Sequence, residues 1–346
     1  MPTNVQGMGT TFNLPNYSGE LATASPTITP FLTMVLSKPI KITTALEFVT
    51  SSDYTLPDPS AEGISENAAA DVHTNVTATN IARGQSTNVI QTFVDKLSLS
   101  YLKQATTGAM SGVNIAGQTN NVPSELDFQR SMILKKNARN MEYAFLNGSY
   151  HKAATANEKN KTRGMFEMVH DAGNEVDLEN ADLTKENFEG AIKNMYDKGA
   201  FLENIYVYVN SNMKVALTKI YTAVNGYSLP ATRTASGYDI TTVLTDFCTI
   251  NIVLDQFIPQ DKILIADIGY ISAVGLETNG SNFYFEPIAK AGAAYEEMFY
   301  GNIGLDYGPT FLHGSIINIG AAANTDPEGS EGSEGSEGSE GSEAGE

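Results

Sequence analysis

The stretch from residue 52 to residue 83 is polar, poor in bulky apolar side chains and broken early by Pro57, Pro59 and Gly63. A structureless loop of that length is uncommon inside a compact domain and usually marks function or exposure. The sequence alternates on either side of it. Ala45–Thr50 reads as one strand, and Val89 to Tyr101 as a second, with Val89, Gln91, Phe93, Asp95, Leu97, Leu99 and Tyr101 on one face. Together they predict a long hairpin whose far end has little of its own to pack against. That hairpin is acidic: Asp53, Asp58, Glu62, Glu66 and Asp71 stand against Arg83 alone.

The rest of the chain can fold around such an element. It has 346 residues, 41% hydrophobic and 18% charged, enough for one large or two ordinary domains with a substantial core. The formal net charge is −19, and seven glutamates crowd the final Glu328–Glu346 segment, which has no base. A chain this acidic is unsuited to coating nucleic acid by neutralising phosphates. A container for nucleic acid needs no such basic face. The single cysteine, Cys248, excludes an intrachain disulfide and reads as an inert core thiol. Met1 to Thr10 lacks the basic-then-apolar pattern of a signal peptide, and no apolar run reaches the ~18 residues needed to span a bilayer. The expectation is a soluble chain made in a cytoplasm.

Residues 1–40 carry Pro15, Gly19, Pro26, Pro30 and Pro39 among scattered anchors such as Leu14, Leu21, Phe31, Leu32 and Met34. They read as an arm lying across a neighbouring subunit. After a Gly/Ala/Asn-rich connector at 105–122, a helix is predicted from Ser124 to Asn147. Ser124 is a good N-cap, and Asp127 favours the positive helix end. Leu134, Ala138, Met141 and Phe145 form the stripe expected to be buried, and Gly148 suits a left-handed C′ position. Arg130, Lys135, Lys136 and Arg139 make this helix the densest basic cluster in the chain. They read either as a solvated face or as a contact for acidic neighbours or packaged nucleic acid.

From residue 183 the texture changes. Thr184 caps a helix with Phe188, Ile192 and Met195 inward and Gly199 at its end. Asn204–Val209 is a strand, Ser211–Tyr221 a helix, and Thr249–Leu254, Lys262–Asp267 and Asn282–Glu286 further strands, an α+β unit. Strand-like segments broken by glycines return over 289–320. Beyond Asp326-Pro327 the Glu-Gly-Ser repeats have nothing to bury and are expected to be disordered.

Motifs for chemistry are missing. The sequence has no Walker loop, dinucleotide fingerprint or metalloprotease helix, and its four histidines (His73, His151, His170, His313) lack zinc-ligand spacing. Asp306 and His313 lack a nucleophile setting, Asp246, Asp255, Asp261 and Asp267 suit turn caps, and Glu296-Glu297 reads as a solvated or intersubunit pair. We expect no enzyme activity, no cofactor and no metal.

The order arm, hairpin, long helix, α+β unit and returning strands resembles the Hong Kong 97-type capsid fold of tailed bacteriophages. Local text narrows this to the SU-ten-like major capsid family: Thr11-Phe12-Asn13-Leu14-Pro15-Asn16-Tyr17-Ser18-Gly19, Glu125-Leu126-Asp127-Phe128-Gln129, Thr162-Arg163-Gly164-Met165 and Gly301-Asn302-Ile303-Gly304-Leu305-Asp306-Tyr307-Gly308-Pro309. The resemblance covers roughly residues 8–320. It implies an N-arm over 1–44, an E-loop hairpin over 45–101 and a P-domain over 102–182 with spine helix 124–147. An A-domain over 183–288, returning P-domain strands over 289–325 and a disordered tail over 326–346 complete the division. It also implies a subunit that self-assembles into hexamers and pentamers, closing an icosahedral head in the virion around double-stranded DNA. Assembly in the host bacterial cytoplasm is expected, with a portal and with scaffolding, decoration or head-completion proteins as partners, and with no membrane. The arm begins near Met1, so no fused scaffolding domain is expected. Some relatives weld their shells through an E-loop lysine, but no lysine lies between Lys41 and Lys96, and a non-covalent shell is predicted. The acids of the hairpin and the bases of the spine helix are the candidate intersubunit contacts. Two rivals share features of the sequence: an encapsulin-like cargo compartment of the same fold, and an acidic β-rich adhesin.

Overall fold

The computed structural model describes residues 29–54, 81, 83–102, 125–223, 231–233, 239–278, 280–289 and 292–320. The described residues open with helix α1 (Pro30–Leu36), strand β1 (Lys41–Ile42), and strands β2 (Glu47–Tyr54), β3 (Arg83–Val89) and β4 (Gln91–Ser100). Then come the long helix α2 (Glu125–Asn147), α3 (Met165–Asp171), β5 (Glu175–Asp177), α4 (Lys185–Asp197), β6 (Ile205–Val209) and α5 (Ser211–Ala223). The remaining strands are β7 (Ala231–Arg233), β8 (Asp239–Leu244), β9 (Thr249–Leu254), β10 (Ile263–Asp267), β11 (Ser272–Gly275), β12 (Phe283–Pro287), β13 (Ala294–Asp306) and β14 (Gly314–Ile317). No described helix is long and apolar enough to cross a membrane.

Two large sheets organise these elements. One is mixed, in the order β5-β14-β10-β6-β9-β8-β7; the other is built on β13, which pairs with β4 on one edge and with β12 and β11 on the other. The centre of the seven-stranded sheet explains the fold. β6 reads Ile-Tyr-Val-Tyr-Val, without the polar alternation of a strand that has one face in water. Ile205, Val207 and Val209 face one core, with Ile250, Ile252, Ile263 and Ile265 of β9 and β10 and the apolar sides of α4 and α5. Tyr208, Val253, Leu264 and Ala266 face the other core, against α1, α2, α3 and residues of the β13 sheet. A period of two along three adjacent strands thus separates two hydrophobic cores.

The sheets divide the chain differently from boundaries at 183 and 288. β11 and β12 belong to the β13 sheet, whereas β5 and β14 extend the other one. β14 pairs with β10 because Ile316 completes the core under α4.

Several local expectations change. The strand expected from Val89 to Tyr101 is two strands broken at Ile90: β3 pairs with β2, and β4 pairs with β13. Its burial alternation holds, with Phe93, Leu97 and Leu99 inside. α2 has the predicted length, but Leu134 is 46% exposed, while Asn137 and Glu142 on the same helix are buried. Gly148 is not left-handed. It is a contact glycine, because a Cβ there would lie 2.3 Å from the Ala144 carbonyl and 2.6 Å from that of Thr162. Phe31 and Leu32, read as anchors for a neighbour, lie on α1 in the chain's own core. Leu14, Leu21, the connector at 105–122 and the Glu-Gly-Ser tail lie outside the described residues.

Candidate functional site

Three attachments tie the hairpin, the long helix and α1 to the body of the chain. The first is the root of the hairpin. β2 and β3 pair from Glu47↔Val89 to Tyr54↔Arg83, with a register shift between Val49 and Ser51. Buried Asn88 ties this root to the body: its Nδ2 donates to the Leu305 carbonyl at 2.8 Å, and its Oδ1 accepts from the Arg163 amide at 2.7 Å. Phe48 lies over Gly304, where a Cβ would come within 2.9 Å of its ring. At the rim Glu47 accepts from Lys152 and from Thr87, and both contacts pull its carboxyl below the usual range. These ties are mostly neutral and backbone-directed.

The second attachment is the N-terminal half of α2. Arg130 makes a two-pronged ion pair with Glu297 of β13, Nε to Oε1 at 2.6 Å and the second nitrogen to Oε2 at 2.7 Å. The Glu297 side chain is 1% exposed, and the guanidinium holds its carboxyl below the usual range. Such forked charge-assisted bonds are among the strongest polar contacts. Glu296 is also mostly buried and meets Lys96 at 2.8 Å. The Glu296-Glu297 pair therefore works inside the chain, where β13 turns one carboxylate to each side, and is not a solvated pair.

The third attachment is α1. Its first-turn amides have no partner within the helix, as at any helix start. No side chain of its own caps it; Glu142, 111 residues away in sequence, accepts from Phe31 N at 3.0 Å and from Leu32 N at 2.5 Å. Phe31 meets Tyr208 edge to face, with ring centroids 5.3 Å apart.

The other candidate residues disperse. Lys136 pairs with Asp95 of β4 at 2.8 Å. Arg139 is exposed and lies over the Phe257 ring. Lys135 has no ion-pair partner among the described residues. Lys136, Arg139, Asn140 and Tyr143 line an open cleft of about 570 Å³ with Gln91, Phe93, Ala144 and Phe257. Asp53 lies on β2 opposite Gly84, and Asp58, Glu62, Glu66 and Asp71 lie outside the described residues. Asp255 and Asp267 do act as turn acceptors, for the amides of Phe257 and Gly269. Asp306 bonds Lys41 and not His313. His313 is buried between the Tyr307 carbonyl and the Asp267 amide, and burial pushes its imidazole down to about 4. Cys248 is half-buried, its thiol pushed up by burial. Among the described residues no group of three or more His, Cys, Asp or Glu is placed to hold a metal.

Apolar side chains remain on the outside. Leu244 is 70% exposed, and Tyr196 and Phe247 lie together with ring centroids 6.2 Å apart at the same end of the seven-stranded sheet unit. Ile42, Leu46 and Val49 are open at the hairpin root. Grouped apolar exposure of this kind marks contact with another surface.

Residues 4–320 match the family described as SU10 major capsid protein. No curated protein sequence matches the chain. Among solved structures, the chain is similar to the capsid asymmetric unit of cyanophage A-1(L), at TM-score 0.59 and 8% identity, covering 87% of this chain and 95% of that one. It is similar to a chain of Mycobacterium phage Bobi, at TM-score 0.51 and 10% identity, covering 82% and 89%. It is also similar to the holo-SrpI encapsulin complex from Synechococcus elongatus, at TM-score 0.56 and 9% identity, covering 88% and 96%. At these identities the structures share the fold, which is the Hong Kong 97-type capsid fold.

Proposed function

This chain belongs to the SU10 major capsid protein family, and from that premise we propose that its copies form the hexamers and pentamers of a head enclosing double-stranded DNA. The capsid role itself follows from the family match over residues 4–320, which is the observation that carries the reading. The encapsulin likeness, at 9% identity, is one of fold alone. Portal, scaffolding, decoration and head-completion proteins are the partners of such a head, and the host cytoplasm is where it would assemble. The subunit acts by assembly and not by catalysis, with function residing in what it presents to neighbours. Nuclease treatment of purified particles tests the container reading: protected double-stranded DNA is expected, and particles filled with a cargo enzyme instead would overturn it.

The acids Asp53, Asp58, Glu62, Glu66 and Asp71 meet the basic side of α2 on a neighbouring subunit in this reading. Lys135 and Arg139 are the better candidates on that side, since Arg130 and Lys136 already serve Glu297 and Asp95 in their own chain. Each exposed pair contributes only ~0–1 kcal/mol, but a shell repeats it at every contact. Charge reversal at Lys135 and Arg139 should weaken shells more at low salt than at high salt; equal weakening counts against the contact. The shell is held without covalent welding, because no lysine lies between Lys41 and Lys96. A ladder of crosslinked subunits in a denaturing gel of mature particles would refute that.

A further inference from the structure

Two acids stand together beside the core shared by α1, α2 and Tyr208. Glu142 on α2 is fully buried and Asp255, just after β9, is 1% exposed. Asp255 is close enough for its charge to raise the Glu142 carboxyl. Two ionised carboxylates offer only acceptors, so any bond between them needs a hydrogen on one of them. Asp255 Oδ1 is occupied by the Phe257 amide, while its Oδ2 is buried with no donor among the described groups. Both Glu142 oxygens already accept from Phe31 and Leu32 at the start of α1. An acid proton between the two carboxyls satisfies every atom of the arrangement at once.

We propose that Glu142 and Asp255 share one proton, and that this proton is the catch of a latch fastening α1 to the body of the subunit, released as pH rises. With the proton in place, Glu142 donates to Asp255 and still accepts the two α1 amides. Without it, two negative charges face each other in a core, which is costly unless they separate. α1 is the element able to leave: it has seven residues, and nothing in its sequence caps it. Its departure opens Glu142 to water.

Among the described residues the surroundings supply no other neutralising group. α1 carries no ionisable side chain. β6 presents Tyr208 and Tyr206, and Tyr208 is itself pushed well above its ordinary value, first by burial and then by the two acids. From α2, Arg139 is turned outward over Phe257. Among the described residues no lysine or arginine bonds either carboxyl. Burial first, then the Asp255 charge, raises the Glu142 carboxyl to about 9, and burial raises Asp255 as well. The sign follows: a carboxyl raised in the closed state keeps its proton there. The latch is therefore strongest in acid and weakens as pH climbs towards that value.

The test is hydrogen exchange on the full chain, following a peptide that contains residues 30–36 at pH 6, 8 and 10, corrected for base catalysis of exchange. In the wild type, protection of this peptide should fall on the order of tenfold or more as the pH rises, while the peptide over β6 keeps its protection. Asp255→Asn supplies its own amide hydrogen to Glu142, so its α1 peptide should stay protected throughout. Glu142→Gln should also lose the pH dependence, with lower protection at every pH because its amide offers one acceptor for two backbone donors. Flat wild-type protection, an equal fall in Asp255→Asn, or a parallel loss in β6 would each overturn the latch.

Discussion

Near its start α2 presents Arg130 to Glu297 of β13, and about three turns later it presents Glu142 to the α1 amides and Asp255. One end buries an acid by pairing it with a permanent cation; the other buries an acid by leaving its proton on. The physical consequence is opposite. Glu297 is lowered by Arg130, so its contribution is present above the ordinary carboxylate range and lost as pH falls through its folded value. Glu142 is raised, so its contribution is full in acid and lost as pH rises. A single helix thus holds the β13 sheet through a contact that fails in acid and the arm through one that fails in alkali. The hairpin root, held by Asn88 and by glycine contacts, depends little on either.

The largest break in this comparison should come from Arg130→Ala. It strands a buried carboxylate, at about 3 kcal/mol, the low end for a broken buried pair because the guanidinium is itself 35% exposed. Denaturant midpoints at pH 7 measure it, and Arg130→Lys should recover only part because it cannot form the fork. Next, Asn88→Ala removes four hydrogen bonds at the hairpin root. It should cost about 2 kcal/mol, equally at pH 5, 7 and 9; a cost that varies with pH would join the root to one of the helix ends. The acid slope comes third: wild-type stability should fall as pH drops below the ordinary carboxylate range, where Glu297 takes up its proton, and Glu297→Gln should flatten the slope. The smallest effect belongs to Lys136→Met, whose partner Asp95 sits in an exposed pair. It should lie within ~1 kcal/mol and fade in salt.

Where capping and periodicity are local, the sequence was enough. Thr184 and Gly199 bound α4 as expected, the Thr184 hydroxyl accepting from the Asn187 amide and Gly199 at φ 96°. β9 has the predicted bounds, and β6 the predicted place. What the sequence hid lies in partners far apart along the chain. Asn137 and Glu142 break the apolar pattern of α2 because Asp95 and the α1 amides make burial of a polar side chain affordable in energy. Leu134 fits the pattern yet faces out. α1 was unreadable because its cap comes from another helix. Glu297 reads as half of a solvated or intersubunit pair because its arginine is 167 residues away. The break at Ile90 was hidden because Val89, Gln91 and Phe93 continue one alternating run in the sequence while β3 and β4 pair with different strands.

This chain is a capsid subunit, and copies of itself are expected to cover its outward segments. Cryo-electron microscopy of the purified full chain tests it directly. Closed icosahedral shells built of hexamers and pentamers are expected, with the exposed Tyr196–Phe247 and hairpin-root surfaces covered by neighbouring copies. A chain that stays monomeric under conditions where it is folded, with those surfaces open, would contradict it.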